Sequence, residues 1–237
     1  MKENEFFKEQ LTAYGFEPSD AQLSSFDRYY EMLIEWNEKI NLTAITEYKE
    51  VFVKHFLDSV SIIKAYDMSK VSSIIDVGTG AGFPGIPIKI MFPDIHVTLL
   101  DSLNKRLNFL NEVISELTLK DIYTVHGRAE DIAKETKHRE MYDLCVSRAV
   151  ANLSTLSELC IPFVKINGSF VSYKSEKATD EIKDADHAIK IMGGSFQKRI
   201  DFDLDGNNRT FIIIDKISYT PKKYPRKAGT PAKEPLR

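Results

Sequence analysis

Cysteine is nearly absent from this chain: Cys145 and Cys160 are its only two. Two thiols cannot build a disulfide framework, and their spacing is not that of a paired zinc site. Five histidines are scattered, with no two at ligand spacing. No stretch approaches the roughly 18 consecutive apolar residues of a membrane span. The first ten residues, MKENEFFKEQ, lack the apolar core of a signal peptide. Internal repeats and low-complexity segments are also missing. These absences lead us to expect a metal-free cytoplasmic domain held together by an apolar core. At 237 residues and 43% hydrophobic composition, the chain is long enough and apolar enough to build one.

Charge is present but unevenly placed. Residues 216–237 hold seven Lys and Arg against Glu234 alone, a net +6, which leaves −9 of the overall −3 on residues 1–215. A basic tail on an acidic body suits a local anionic contact such as phosphate backbone. A solvated tail with no partner would have the same composition.

Helical spacing dominates the first third. Ser19-Asp20 predicts the start of a helix whose apolar positions, Leu23, Phe26, Tyr30, Leu33 and Trp36 or Asn37, step by threes and fours. A second helix is expected over 47–65, with Phe52, Phe56, Val60 and Ile63 on one face and His55, Asp58 and Ser59 on another. The aromatics of these helices read as core rather than as a platform for stacked bases.

After Ser69 apolar runs alternate with helical stretches: 71–77, 95–101, 122–127, 142–147 and 168–173 read as strands. SFQKRIDF, DGNN and RTFIIIDKI then read as an antiparallel hairpin. The expected fold is α/β, a mainly parallel seven-stranded sheet covered on both faces with an antiparallel terminal hairpin and a helical N-terminal extension.

The first strand runs into IIDVGTGAGFPG, residues 74–85. Glycines there admit unusual backbone angles and let N–H groups approach a ligand, and the following helix start favours an anion. Dinucleotide enzymes space these glycines G-x-G-x-x-G. Here Gly78, Gly80 and Gly82 follow G-x-G-x-G, and Phe83 stands where the third dinucleotide glycine belongs. With Asp76 ahead of it, the turn resembles motif I of class I S-adenosylmethionine (SAM) methyltransferases. Asp101 ends the second strand, where a carboxylate can accept both ribose hydroxyls of NAD or SAM, or stabilise the next helix start. GRAED (127–131) follows the third strand; in such enzymes this position often meets adenine, which makes Ala129 and Glu130 candidates, although an ordinary helix cap reads the same.

At the fourth strand the Asn/Asp-Pro-Pro-aromatic motif of exocyclic-amine methylation is replaced by Val146-Ser147-Arg148-Ala149. Cys145 within an apolar strand, and Cys160 on its helix, read as buried inert thiols rather than nucleophiles. The acceptor is therefore expected to need no covalent help. Arg148, at the carboxyl edge of the sheet, is a pocket residue or part of a structural ion pair.

With WNEKINLTAIT (36–46), HFLDS (55–59), DVGTGAGFPGIP (76–87), GRAED (127–131), SRAVA (147–151) and YPRKAGTPAKEPL (224–236) in place, the chain resembles the bacterial 16S rRNA guanine-N7 methyltransferases, the RsmG or glucose-inhibited division protein B family. The segment 176–208 carries no matching signature. The resemblance implies a helical extension over 1–68 packed on a SAM-binding core over 69–217, with a basic tail over 218–237. It implies SAM as methyl donor and one guanine, guanine-527 of the 530 loop in 16S rRNA, as acceptor. It also suggests cofactor contacts at Gly78, Phe83, Ala129, Glu130 and Arg148, to which the glycine turn and second strand add Gly80 and Asp101. RNA-facing roles are expected of Asn41, His55, Asp58, Arg226 and Lys233; His55 has an equally good reading as a structural histidine.

Guanine N7 carries a lone pair, so its attack on a sulfonium methyl needs alignment rather than a base. Positive charge then moves onto the purine, which places Arg148 near the cofactor or a phosphate, not against the reacting ring. A flipped guanine would be held by stacking and edge hydrogen bonds, with Phe83 and Trp36 as conceivable partners. The acidic body favours a small ribosomal subunit or assembly intermediate over naked RNA, and the expected state is a monomer. An NAD-dependent oxidoreductase fails at Phe83. A SAM-binding assembly factor without catalysis remains the alternative.

Overall fold

Apolar runs bounded by glycine or polar turns become strands where the pattern places them. In the computed structural model, which describes residues 3–175 and 178–236, β1 (Ser73–Val77), β2 (His96–Asp101), β3 (Ile122–His126), β4 (Tyr142–Arg148) and β5 (Val164–Ser175) are the parallel strands. β6 (Gly194–Leu204) and β7 (Asn207–Lys216) form the closing hairpin. All seven make one sheet, in the order β3-β2-β1-β4-β5-β7-β6.

α1 (Glu3–Ala13) and α2 (Asp20–Ile40) precede a helical run over 48–64. That run contains α3 (Tyr48–Val51), a π-helical turn at Phe52–Leu57, α4 (Asp58–Val60) and a 3-10 turn at Ser61–Lys64. α5 (Gly85–Met91), α6 (Asn104–Glu116), α7 (Ala129–Ile132), α8 (Leu153–Cys160) and α9 (Ala178–Ile191) cross between strands, and α10 (Thr230–Lys233) lies near the C-terminus.

Chain order reverses at β1, which pairs in parallel with both β2 and β4; Asp76 lies opposite Leu99 on one side and Val146 on the other. Open α/β sheets bind ligands outside the carboxyl ends of the strands at such a reversal. β7 runs antiparallel between β5 and β6, with Val171 opposite Ile213 and Ile200 opposite Phe211. Asp205 and Gly206, at φ 51° and 75°, supply the paired left-handed residues of a type I′ hairpin turn.

Ser19 caps α2 as expected, through a reciprocal box in which Gln22 N–H reaches Ser19 Oγ at 3.3 Å and Ser19 N–H reaches Gln22 Oε1 at 2.9 Å. The buried stripe of α2 differs from the expectation at one position: Tyr29, not Tyr30, is fully enclosed. Both lie within helical reach of Phe26, but Tyr29 meets Phe56, Phe83 and Phe109, whereas Tyr30 packs at the edge against Tyr48.

The single regular helix expected over 47–65 is also corrected. Its π-helical turn widens the buried arc, so Val51, Phe52, Val53, Phe56 and Leu57 are all enclosed. One apolar layer joins these N-terminal helices to α5, α6 and one face of the sheet. The other face is covered by α8, α9 and Tyr224 of the tail. Among the described residues no helix is long and apolar enough to cross a membrane.

Candidate functional site

The turn after β1 is built by Asp76. Its carboxylate is fully buried, and Oδ2 accepts the Thr79 hydroxyl at 2.6 Å and the Gly85 N–H at 2.9 Å. One oxygen thus ties the start of the turn to the start of α5. Oδ1 has no hydrogen-bond partner, and burial lifts the group's pKa to about 7.

Gly82, at φ 98°, has no room for a side chain: a Cβ there would lie 2.5 Å from the Tyr29 hydroxyl. That hydroxyl donates to the Ala81 carbonyl, so α2 braces the turn from behind. Gly80 is the opposite case. Its φ is 61°, and an added Cβ would meet only Gly78 O, at 4.0 Å. Here the missing side chain keeps the cleft open.

A cleft of about 470 Å³ lies over this turn, within the range of nucleoside-sized ligands. All seven expected cofactor contacts, Gly78, Gly80, Phe83, Asp101, Ala129, Glu130 and Arg148, line it. Asp101 is more committed than expected. Oδ1 accepts the Leu103 N–H at 2.8 Å, and Oδ2 accepts the Gly80 N–H at 3.0 Å and Arg106 Nη1 at 3.3 Å. A carboxylate offers about four acceptor positions, so one remains, fewer than a pair of ribose hydroxyls would need. Glu130 is likewise engaged: its buried Oε1 accepts the Gly229 N–H at 2.7 Å, which brings the tail against the β3 end of the cleft.

At the β4 end both readings of Arg148 hold together. It lines the cleft, and Nη1 donates to Asp58 Oδ2 at 2.7 Å and to the Lys54 carbonyl at 2.9 Å. Its guanidinium lies 5.2 Å from the centre of the Phe83 ring. Asp58, expected to face RNA, is instead buried between two guanidiniums, because Arg209 Nε donates to its other oxygen at 2.9 Å. A carboxylate shared in this way holds Arg148 in place and has no free face. His55 stacks on Phe83 with centroids 4.7 Å apart, and its Nε2 lies 2.9 Å from Thr43 Oγ1. Burial, and then the Arg148 charge, lower its pKa to about 3, so the ring is neutral.

The remaining RNA-facing candidates do not line the cleft. Asn41 ends α2 in the left-handed conformation at φ 50°, donating its N–H to Asn37 O; it is exposed, and its visible role is to turn the chain. Arg226 is turned inward onto buried Glu158, with Nη2 to Oε2 at 2.7 Å and Nε to Oε1 at 3.0 Å. A single carboxylate in the apolar α8 demands such a partner, which is why this cation does not face outward. Lys233 is exposed at the end of α10. Arg237, counted among the tail's cations, lies outside the described residues. Trp36 donates to Glu112 at 3.1 Å and does not line the cleft.

Cys145 and Cys160 are both fully buried, and burial pushes the Cys145 thiol well above its ordinary pKa, as expected of inert thiols. Sequence reasoning missed Thr43, Arg106 and Val150, which also line the cleft. Thr43 and Val150 lay inside quoted stretches, 36–46 and 147–151, and Arg106 sits on the helix that Asp101 introduces.

The chain matches the family model described as rRNA small subunit methyltransferase G over residues 22–207. It is 52% identical to the ribosomal RNA small subunit methyltransferase G of Exiguobacterium sp. over 238 residues, covering 100% of both chains. It is 51% identical to the protein of that name from Lachnoclostridium phytofermentans, covering 100% of this chain and 98% of that one. Among solved structures it resembles M. jannaschii TYW2 in complex with AdoMet, at TM-score 0.51 and 13% identity, covering 68% of this chain and 77% of that one. The sheet has the Rossmann-like architecture of class I SAM methyltransferases.

Proposed function

The chain belongs to the rRNA small subunit methyltransferase G family, with SAM as methyl donor, and we propose that it methylates N7 of one guanine, guanine-527 in the 530 loop of 16S rRNA. Gly78 and Gly80 would hold the donor through the backbone, Asp101 through its remaining acceptor position, and Phe83, Ala129, Glu130 and Arg148 through the cleft wall. The open space at Gly80 fits this role. SAM supplies a methyl group on a positively charged sulfur, open to in-line attack by a lone pair.

The observation that favours N7 is the state of the charges at the β4 end. Arg148 is paired with Asp58, and His55 is neutral. A purine nitrogen that becomes positive as it is methylated meets no bare cation there. N7 needs no proton removed, so the residues act by placement: Asp58 and the Lys54 carbonyl fix Arg148, and His55 and the guanidinium, in contact with each other, both rest against the Phe83 ring.

The RNA partner is the small subunit or an assembly intermediate, met by a monomer. Lys222, Lys223 and Lys227 are exposed on a tail that Gly229 anchors beside the cleft, and they supply charge for phosphates that the acidic body does not. The test is methyl transfer from labelled SAM to naked 16S rRNA, unmethylated small subunits and bulk tRNA in parallel, with the label mapped by cleavage at N7-methylguanine. One labelled guanine in small-subunit RNA supports the reading. Label at another atom or in another RNA overturns it.

A further inference from the structure

Hydrogen-bond accounting around His55 singles out a side chain with no assigned role. Arg148 Nη2 lies 3.2 Å from His55 Nδ1, and a guanidinium can only donate. With Nδ1 as the acceptor of that guanidinium it carries a lone pair and does not donate to the Lys54 carbonyl 3.1 Å away, the bond that belongs to the other tautomer. A neutral imidazole with a bare Nδ1 must carry its proton on Nε2. That proton is donated to Thr43 Oγ1 at 2.9 Å, and the Ile45 N–H is donated to the same oxygen at 3.0 Å.

Both lone pairs of the Thr43 hydroxyl are thus taken by protein donors. Its own proton is used by neither, and the residue lines the cleft at the end shared by His55, Phe83 and Arg148. The loop is held there by the Asn37 side chain, which accepts the Thr43 N–H at 2.8 Å. The site therefore presents one fixed, uncharged donor at its β4 end.

We propose that the Thr43 hydroxyl donates to the carbonyl oxygen, O6, of the target guanine and so selects and orients the base for methylation at N7. The proposal rests on the N7 reading above. On the major-groove edge of guanine, N7 and O6 are neighbouring acceptors. A donor on O6 leaves the N7 lone pair free, and an uncharged donor adds no repulsion as the ring becomes positive. Adenine presents an amino donor where guanine has O6, so the same hydroxyl also discriminates against adenine.

The experiment uses small subunits reassembled with 16S rRNA that carries either guanine or 2-aminopurine at the target. The second base keeps N7 and lacks O6. Wild type, Thr43→Val and Thr43→Ser are compared by kcat/KM for each particle and by SAM affinity from calorimetry. On guanine, Thr43→Val should lose roughly ten- to a hundredfold in kcat/KM, a usual size for one lost base contact. Thr43→Ser should restore it. On 2-aminopurine the wild-type advantage over Thr43→Val should shrink to within about threefold, because the partner is already gone.

SAM affinity should be unchanged throughout. Equal losses on both bases, or weakened SAM binding in Thr43→Val, would show that the hydroxyl acts only by holding His55 and Ile45, and the proposal falls. A wild type that fails to form N7-methylguanine on the unmodified particle sinks the N7 reading itself. That outcome is distinct because no variant is needed to see it.

Discussion

Replacing Arg226 by Ala removes the cation that faces Glu158, whose side chain is 1% exposed. Of the bonds that Glu158 accepts from residue 226, the one from the backbone N–H, at 2.7 Å, survives; those from Nε and Nη2 are lost. Removing one partner of a buried pair costs about 3–5 kcal/mol, and the surviving bond and the option of protonating Glu158 favour the lower end. For a chain of this size, about 3 kcal/mol lowers Tm by about 6–12 °C. The assay is a thermal melt of four proteins: wild type, Arg226→Ala, Glu158→Gln and the double variant. The double variant should be more stable than Arg226→Ala alone, because no buried charge is left without a partner. SAM titration of Arg226→Ala should show weaker binding, since loosening residue 226 frees Gly229 from Glu130. If Arg226→Ala melts within about 1 °C of wild type while RNA methylation falls, the inward ion pair is not what holds the tail in solution. Arg226 would then belong to the RNA-facing surface.

The exposed tail cations give a complementary result: changing Lys222, Lys223 and Lys227 together to Gln should leave Tm unchanged but lower RNA methylation and flatten its salt dependence. Arg148→Ala should weaken SAM binding or turnover, and Lys in its place should not restore it, because one ammonium cannot reach Asp58 and the Lys54 carbonyl in the same fork; unchanged steady-state kinetics would remove Arg148 from the site. Asp76, with its folded pKa raised to about 7, binds its proton more tightly in the folded protein than in the unfolded chain. Its stabilising contribution is complete below about pH 4 and is lost as pH rises through 7, a swing on the order of 4 kcal/mol. Melts from pH 5 to 8 should therefore show wild type losing stability relative to Asp76→Asn, and parallel curves would refute the assignment.

The strands, the hairpin and the cleft wall were legible because each depends on local chemistry. Glycine permits the turn, an acid ends β2, and alternating apolar runs can be buried only as a covered sheet. What escaped reading depends on contacts distant in sequence. Asp58 and Arg148 are 90 residues apart, and nothing in HFLDS says that its acid is buried beneath the cleft rather than exposed at its rim. Tyr29 and Tyr30 are equally plausible neighbours of Phe26 by helical spacing, and only the position of Phe83 and Phe109 decides between them. The tail was misjudged at Arg226 because basic composition reports charge, not direction. A signal existed in Glu158, one acid in the otherwise uncharged LSTLSELC, since such a residue seldom lies buried without a cation.

The tail's attachment bears on the order in which the cleft is completed. Gly229 and Arg226 complete Glu130 and Glu158, residues made about a hundred and about seventy positions earlier in the chain. During synthesis, which proceeds from the N-terminus, the sheet and the glycine turn emerge first and these two acids wait without partners. The contact that backs the cleft wall at β3 forms only once residue 229 has been made. A copy that stops before residue 226 would leave both buried carboxylates without these partners at once, one of them in the wall of the cleft.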